Sequence, residues 1–173
     1  MVDMLYHGQA VHWRGHGTFR ASSGLPQLQH PNQQCTEGGP VPEGTWSFLT
    51  KYDRRPAQLK NDGSCELKPS KLIQDIPSWD PFDPCSNVYE AWGYHRVRLE
   101  PHDDRTRLVC KATRDGFYLH DSRKGYSHGC IEVEGNFFYE LRVYSHRPQR
   151  ADRLIIQVRY FPNRRTSFLG GSE

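Results

Sequence analysis

The chain has 173 residues, a length that suits one ordinary domain. Its formal net charge of +3 is too weak for a dedicated nucleic-acid binder. Hydrophobic residues make up only 35% of it, but aromatic residues reach 12%, so an aromatic core is expected and disorder of the whole chain is excluded. No apolar run approaches the roughly 20 residues of a membrane-spanning helix, and no secretory signal opens the sequence. We therefore expect a cytosolic protein, or export by a route that reads no N-terminal signal.

The first third of the chain is predicted to be short strands and turns. Fifteen glycines and twelve prolines predict many turns and few long helices. Apolar centres at 4–6 and 11–13 predict short strands, and the glycines and prolines of 22–44 predict an irregular stretch. Alternating residues over 45–52 then predict another strand.

Residues 53–87 are predicted to form a loop-rich insertion. Five prolines interrupt this segment, and a short helix is expected near 69–76. A long irregular segment inside a compact domain is usually functional or disordered. Because Trp79, Phe82 and Trp92 can anchor it, we expect a packed cap over the rest of the domain.

The second half of the chain alternates strands with one helix. Phe137, Leu141 and Tyr144 recur at helical spacing, which predicts a helix over 136–144. The apolar residues of 154–161 make the strongest strand prediction and favour a central position in a sheet. The other expected elements are strands at 94–99, 108–111 and 116–120, a loop at 121–129, a strand or buried turn at 130–133, and a frayed tail at 162–173. The class is therefore mainly β (α+β), with one or two helices and one domain over 1–165.

An arginine-rich stretch runs from Arg147 to Arg165 and contains a single acid, Asp152. Two interpretations stay open. The arginines form a solvated strand face and tail, or they form a site for an anionic polymer such as nucleic acid or cell wall.

The five cysteines leave at least one thiol unpaired within the chain, because their number is odd. None lies in a CxxC pair, and no metal-finger spacing is present. The useful question is which cysteine stays free.

The segment 116–132 (GFYLHDSRKGYSHGCIE) places His120 and Cys130 at the two ends of a glycine-containing loop. A cysteine attacks as its thiolate, and a neighbouring imidazole supplies that state by forming a thiolate–imidazolium pair. Nine residues separate the two, enough for the chain to fold back. His120 and Cys130 are therefore the predicted catalytic pair.

The residues just before Cys130 are predicted to support it. Gly129 permits backbone torsions that can aim nearby amides at a developing oxyanion. Ser127 and His128 are expected to orient the loop or contact substrate. A zinc site formed by His120, His128 and Cys130 is one alternative, but the spacing and the lack of a fourth ligand disfavour it. Purely structural roles for a lone Cys and a lone His are the other alternative.

The segment SHGCI at 127–131, preceded by His120 at a strand end, resembles the signature of L,D-transpeptidase (YkuD-type) catalytic domains. Two further segments narrow the resemblance. EGGPVPEGTW at 37–46 is similar to a G-P-[IV]-P-E-G-x-[YW] turn, and AWGYHRVRL at 91–99 is similar to a WG-x-x-R-V-x-L strand. Both are typical of the type VI secretion L,D-transpeptidase effectors. The likeness spans about residues 5–161 and is sharp only in these three segments.

The resemblance implies a mixed β-sandwich with a cysteine nucleophile and a capping insertion over 53–87. It implies an enzyme that needs no cofactor or metal and acts on peptidoglycan stem peptides in the periplasm of a rival bacterium. The bond cut is the L,D bond between the diamino acid and the terminal D-Ala of a tetrapeptide stem, with exchange of that D-Ala as a second outcome. The implied partners are the type VI secretion apparatus and a cognate immunity protein, and a monomer is expected.

The resemblance also assigns a substrate-binding set around the catalytic pair, namely Asp121, Ser122, Glu132 and Trp92. Many relatives have Gly where this chain has Asp121, and ordinary wall enzymes usually have Arg at the position of Glu132. A glutamate there suits an amine on the diamino acid or on an acceptor. A backbone carbonyl is expected to orient His120, because no Asn or Asp stands out as a third partner.

Several alternatives stay open beside this assignment. Cys65 and Cys85 either bridge within the cap in an oxidising periplasm or remain free buried thiols. The protein is alternatively a housekeeping L,D-transpeptidase that forms wall cross-links, or a catalytically silent module that binds peptidoglycan. Residues 166–173 are expected to be a flexible tail.

Overall fold

The computed structural model describes residues 1–77 and 80–169, and this part of the chain contains ten strands and three α-helices. The helices are α1 (Ser86–Trp92), α2 (Asp104–Leu108) and α3 (Asn136–Ser145). The strands in chain order are β1 (Met4–Tyr6), β2 (Ala10–Trp13), β3 (Gly17–Ser23), β4 (Gly44–Leu49), β5 (Gln74–Asp75), β6 (His95–Arg98), β7 (Glu100–Pro101), β8 (Tyr118–His120), β9 (Ile131–Val133) and β10 (Arg153–Val158). The predicted mainly β class with a few helices is confirmed.

The ten strands form one curled sheet in the order β5-β6-β8-β9-β3-β2-β1-β10-β4-β7. Strand β3 belongs to both halves, because its first residues pair with β2 and its last three pair with β9. The half that contains β4 meets the half that contains β8 where the ring of Trp46 contacts the ring of Phe117 edge-on, at 5.2 Å between centroids. The sheet therefore curls around one core rather than separating into two independent sheets.

The core is rich in aromatic side chains, as the composition predicted. Helix α3 buries Phe137, Phe138 and Leu141 against it, and Phe137 meets Phe19 edge-on. A second, smaller cluster lies apart from this core and is formed by Ala57, Leu67, Ile76 and Tyr89. Residues between 53 and 92 therefore contribute a small apolar centre of their own, and the capping role of 53–87 stays a prediction.

Most strand predictions are confirmed where apolar and polar residues alternate. Helix α3 also lies where its spacing predicted it. Strand β10 is interior, between β1 and β4, as its apolar residues indicated. Strand β3 was missed, because its polar end at Ser22 and Ser23 is nevertheless fully buried beneath the C-terminal segment.

The predicted helix at 69–76 is wrong. This stretch contains β5, which pairs with β6 through Gln74 opposite Arg96 and Asp75 opposite His95. The helix of this region is α1, which ends at Trp92 and turns its buried Tyr89 into the small cluster. Sheet pairing outweighed the weak local helical preference.

The predicted strand at 108–111 is also wrong. Asp103 caps α2 by accepting a hydrogen bond from the Thr106 amide at 2.7 Å, so the chain enters a helical turn instead. Lys111 and Ala112 then take left-handed backbone angles, with φ of 53° and 56°. Such angles are incompatible with a continuing strand.

A disulfide between Cys65 and Cys85 closes the cap, which settles the alternative between a bridge and free thiols. The expected anchors behave differently. Trp92 is half-buried and packs on the cap cluster, whereas Phe82 is 92% exposed and anchors nothing. Trp79 lies outside the described residues.

The end of the chain is not frayed at Thr166 and Ser167, which corrects the tail prediction for these two residues. Both are buried, and the Thr166 hydroxyl donates to the Ser23 carbonyl at 2.7 Å. The Ser167 hydroxyl donates to the Gly125 carbonyl, inside the predicted loop. Residues 170–173 lie outside the described part of the chain.

The helices of residues 1–77 and 80–169 are all too short or too polar to cross a membrane.

Candidate active site

Cys130 is the unpaired cysteine of the chain. A second disulfide joins Cys35 to Cys110, so the two bridges use the other four cysteines. The Cys35–Cys110 bridge was not predicted, since 75 residues separate its partners and no spacing signal links them. The odd thiol is therefore the one the sequence proposed as nucleophile.

Strand register places Cys130 and His120 on one face of the sheet. Leu119 pairs with Ile131 in the parallel β8–β9 ladder, and both point into the core. Because side chains alternate along strands, His120 and Cys130 share the opposite face. They are diagonal neighbours there, with an inter-Cα distance of about 8 Å given the usual strand spacing and rise. Side chains of this length can meet across that gap.

His120 is 2% exposed and is oriented by its neighbours. Its Nδ1 lies 3.2 Å from the Ser122 hydroxyl, and that hydroxyl donates a short hydrogen bond to a Glu132 carboxylate oxygen. The Trp92 backbone also raises the pKa of the ring, and the predicted orientation of His120 by a backbone carbonyl stays a prediction. The third partner that sequence reasoning did not find is Ser122, which Glu132 holds in place.

Glu132 is buried, and its carboxylate is used within the protein. It accepts from the Ser122 hydroxyl and from the amides of Lys124 at 3.1 Å and Gly125 at 2.5 Å. Burial raises its pKa above the usual value, and these hydrogen bonds oppose the rise. Both side chains therefore fix the loop and the histidine, and the prediction that Glu132 and Ser122 contact substrate stays a prediction.

Asp121 is likewise buried and bonded within the protein, and its assignment to substrate binding stays a prediction. Its Oδ1 accepts from the amides of Tyr94 and His95, both at 2.7 Å, and its Oδ2 lies 2.7 Å from the His95 Nδ1. Asp121 therefore ties the end of β8 to the start of β6. Its side chain points away from His120, as strand alternation requires.

The loop before Cys130 has the supporting contacts that were expected. The buried Ser127 hydroxyl donates to the Cys130 carbonyl, and the Ser127 amide donates to the Gly24 carbonyl at 3.1 Å. Gly129 has a φ of 108°, and a Cβ there would collide with the Arg114 guanidinium, so only glycine fits. His128 is exposed.

The electrostatics of the pair differ from the expected thiolate–imidazolium state. Burial, and to a smaller extent the charge of Lys124, lower the pKa of His120 to about 3. Burial raises the pKa of the Cys130 thiol to about 11, although the Tyr118 backbone and three cations pull it down. Both groups are therefore neutral at pH 7 in the resting protein, because the interior disfavours either charge.

Trp92 and Arg96 form a wall beside His120. The Trp92 ring meets the His120 ring edge-on at 5.3 Å, and the Arg96 guanidinium lies 4.5 Å from the Trp92 ring centroid and 4.7 Å from that of Tyr118. Arg96 donates to the Gln74 side chain and the Lys68 carbonyl. Trp92 is half-buried, so its assignment to substrate contact stays a prediction.

Arg114 is a second cation that sequence reasoning missed. Its guanidinium donates to the carbonyls of Gln34, Gly39 and Pro40 and lies against Gly129. Among the described residues, neither Arg96 nor Arg114 forms an ion pair with a carboxylate. Both lower the pKa of Cys130, so they stabilise negative charge at its sulfur.

A cleft of about 680 Å³ opens between α1 and the loop that follows β8. Its walls include Tyr89, Gly93, Ser122 and Lys124. Gly93 allows the end of α1 to approach this loop, because a Cβ there would lie 2.5 Å from the backbone of Asp121 and Ser122. Ser122 therefore connects this cleft to His120.

The zinc alternative gains no support, since residues 1–77 and 80–169 bring no three Cys, His, Asp or Glu side chains together as metal ligands.

Comparison of the chain with protein-family models gives no match, and comparison with curated protein sequences gives none either. The site must therefore be interpreted from its own chemistry.

Proposed function

We propose that the protein is a cysteine-dependent acyltransferase of the L,D-transpeptidase kind that acts on peptidoglycan stem peptides. The observation that carries this proposal is the placement of the single unpaired thiol, Cys130, on the same sheet face as His120. Support also comes from the Glu132–Ser122 pair that orients the histidine and from two guanidinium groups that act on the sulfur. The SHGC segment and its flanking likenesses supply the substrate class.

The chemistry begins from the neutral pair. Ser122 directs its only hydroxyl proton to Glu132, so it accepts from the Nδ1–H of His120 and leaves Nε2 as the base. As the Cys130 sulfur attacks the carbonyl of the diamino acid, its proton moves to Nε2. The new C–S bond and the oxyanion form together. The amides of Gly129 and Cys130, with the field of Arg96 and Arg114, are the groups we assign to that oxyanion.

The tetrahedral intermediate then collapses toward the acyl-enzyme. The C–N bond to D-Ala breaks, and His120 returns the proton to the leaving amine. A thioester remains on Cys130. Attack by water releases a tripeptide, which is the L,D-carboxypeptidase outcome, and attack by an amine gives transpeptidation or D-amino-acid exchange.

The two disulfides support action in an oxidising compartment, because such bridges persist in periplasms and outside cells. We therefore propose that the protein acts in the periplasm of a target bacterium, as a type VI secretion effector. In this proposal the producing cell carries a periplasmic immunity protein that binds the enzyme.

The chemistry is tested with purified disaccharide-tetrapeptide and mass spectrometry of the products. The wild type is expected to give tripeptide and free D-Ala, and Cys130→Ala and His120→Ala are expected to give none. Circular dichroism verifies that each variant is folded. Conversion by folded Cys130→Ala would overturn the mechanism, and a folded wild type that forms no adduct with thiol reagents would favour the silent binding module.

The biological role is tested by directing the protein to the periplasm of a susceptible cell. An effector is expected to cause swelling or lysis, and the Cys130→Ala variant is expected to be harmless. Growth without defect and an increase in wall cross-links would instead identify the housekeeping enzyme.

A further inference from the structure

A basic cleft of about 430 Å³ lies where β6, β7 and α2 meet the loop before β8, and Arg114 of the candidate site is part of its lining. Its charged walls are Lys71, Arg98, Arg107 and Arg114, together with Glu100 and Asp115, so the lining carries a net charge of +2. The Lys71 ammonium lies 3.2 Å from the Glu100 carboxylate, so these two charges largely cancel. The three arginines therefore set the potential of this cleft, which we call the basic cleft.

Strand register connects Arg98 to the active site. Arg98 pairs with Tyr118 across β6 and β8, and Tyr118 is the β8 neighbour of Cys130 when the β8–β9 ladder is extended by one residue. Val97 and Leu119 occupy the core face of the same strands. Arg98 and Cys130 therefore share the outer face, two strand spacings or about 10 Å apart.

Arg114 connects the basic cleft to the sulfur from the other side. It lines the cleft, touches Gly129, and acts electrostatically on Cys130. The charge of Glu37 raises the pKa of Arg114, but only at a range longer than that of an ion pair. Arg107 is exposed on α2 at the cleft wall, and no described residue pairs with its guanidinium. Unpaired guanidinium groups that converge on a concave surface are suited to bind carboxylates.

We propose that the basic cleft binds the C-terminal carboxylate of the substrate peptide, with Arg98 and Arg107 as its ligands and Arg114 between the cleft and Cys130. This inference rests on the proposed function and adds to it the group that is recognised. The scissile bond lies one residue before that carboxylate, so the carboxylate needs cations close to the sulfur, and Arg114 and Arg98 are linked to Cys130 by contact at Gly129 and by strand register.

The test measures binding to Cys130→Ala, which removes turnover, by isothermal titration calorimetry. The ligands are the stem tetrapeptide and the same peptide with a C-terminal carboxamide. Amidation and Arg107→Gln are each expected to weaken binding about 10-fold, the effect of losing one charge-assisted hydrogen bond. Because both changes remove the same contact, their combination is expected to weaken binding little further. Arg98→Gln is expected to weaken binding of the tetrapeptide in the same way as Arg107→Gln. Arg159→Gln, at an exposed arginine outside the cleft, is expected to leave the affinity unchanged.

The outcomes separate this inference from the proposed function. Additive effects of Arg107→Gln and amidation, equal binding by all variants, or no binding of the tetrapeptide would overturn the basic cleft as the carboxylate site. Absence of tripeptide formation by the wild type would overturn the enzymatic proposal alone, since the binding cycle is measured without turnover. In active protein, Arg107→Gln is expected to raise KM about 10-fold with kcat unchanged.

Discussion

His120 and Glu132 occupy paired positions in the parallel β8–β9 ladder, and the Ser122 hydroxyl joins their side chains. The carboxylate therefore acts on the imidazole through a hydroxyl rather than directly. This arrangement fixes the ring tautomer without placing a negative charge against the ring, which agrees with the neutral histidine that burial produces.

Ser122→Ala is expected to lower kcat about 10-fold with little change in KM, because it removes the acceptor for the Nδ1–H that fixes the ring tautomer. Steady-state kinetics on the tetrapeptide measure the effect. Ser122→Thr retains the hydroxyl and is expected to recover most of the rate. Equal losses for both variants, or a change in KM alone, would show that Ser122 does not position the histidine.

The reactivity of Cys130 is expected to depend steeply on pH. Because the pKa of the thiol is raised from 9.0 to about 11, the thiolate fraction at pH 7 is roughly 100-fold lower than for an ordinary cysteine and rises about 10-fold per pH unit. Alkylation by iodoacetamide, followed by mass spectrometry from pH 6 to 10, measures it. His120→Gln is expected to leave this resting rate nearly unchanged. A rate that is flat between pH 6 and 8 would instead establish a preformed thiolate–imidazolium pair.

Glu132→Gln is expected to loosen the loop from 121 to 129. A carboxylate accepts all three of its hydrogen bonds, whereas an amide places an NH₂ group against one of the donors, at a cost of about 1–3 kcal/mol. Hydrogen exchange at the Lys124 and Gly125 amides is expected to accelerate accordingly. The matched control is Glu134→Gln, because Glu134 is half-buried and pairs with Arg20 at the surface. Unchanged protection in Glu132→Gln would contradict this role.

Oxidised protein is expected to show one thiol. Alkylation of denatured, unreduced protein should add one label, at Cys130, and reduction should raise the count to five. In the chain-entropy model the Cys65–Cys85 bridge contributes about 3 kcal/mol, so Cys65→Ser with Cys85→Ser is expected to destabilise the cap. Peptide mapping that found Cys130 in a disulfide would contradict both the pairing and the proposed nucleophile.

The parts of the fold that the sequence predicted are those that local patterns determine. Strands with alternating side chains and the Phe137–Leu141–Tyr144 helix were found because burial of one face leaves a periodic signal. The segment 69–76 was misassigned because β5 has only two residues and is held by its partner β6, not by its own composition. A strand of that length has no detectable period.

The placement of His120 and Cys130 on one sheet face was predictable because both lie in one short segment that folds back on itself. The roles of Ser122 and Glu132 were not, because they depend on the register between β8 and β9, which the sequence leaves open. Arg114 was missed for a related reason. It lies against Gly129 only in the folded chain, and no local sequence pattern predicts that contact.

Strand β1 pairs in parallel with β10, with Met4 opposite Ile156. The first strand therefore pairs with a segment some 150 residues later in the chain. Loop closure over that distance slows folding. Closure of the sheet at this parallel pair is therefore expected to be a late and slow step of folding, after the neighbouring antiparallel pair of β1 and β2 has formed.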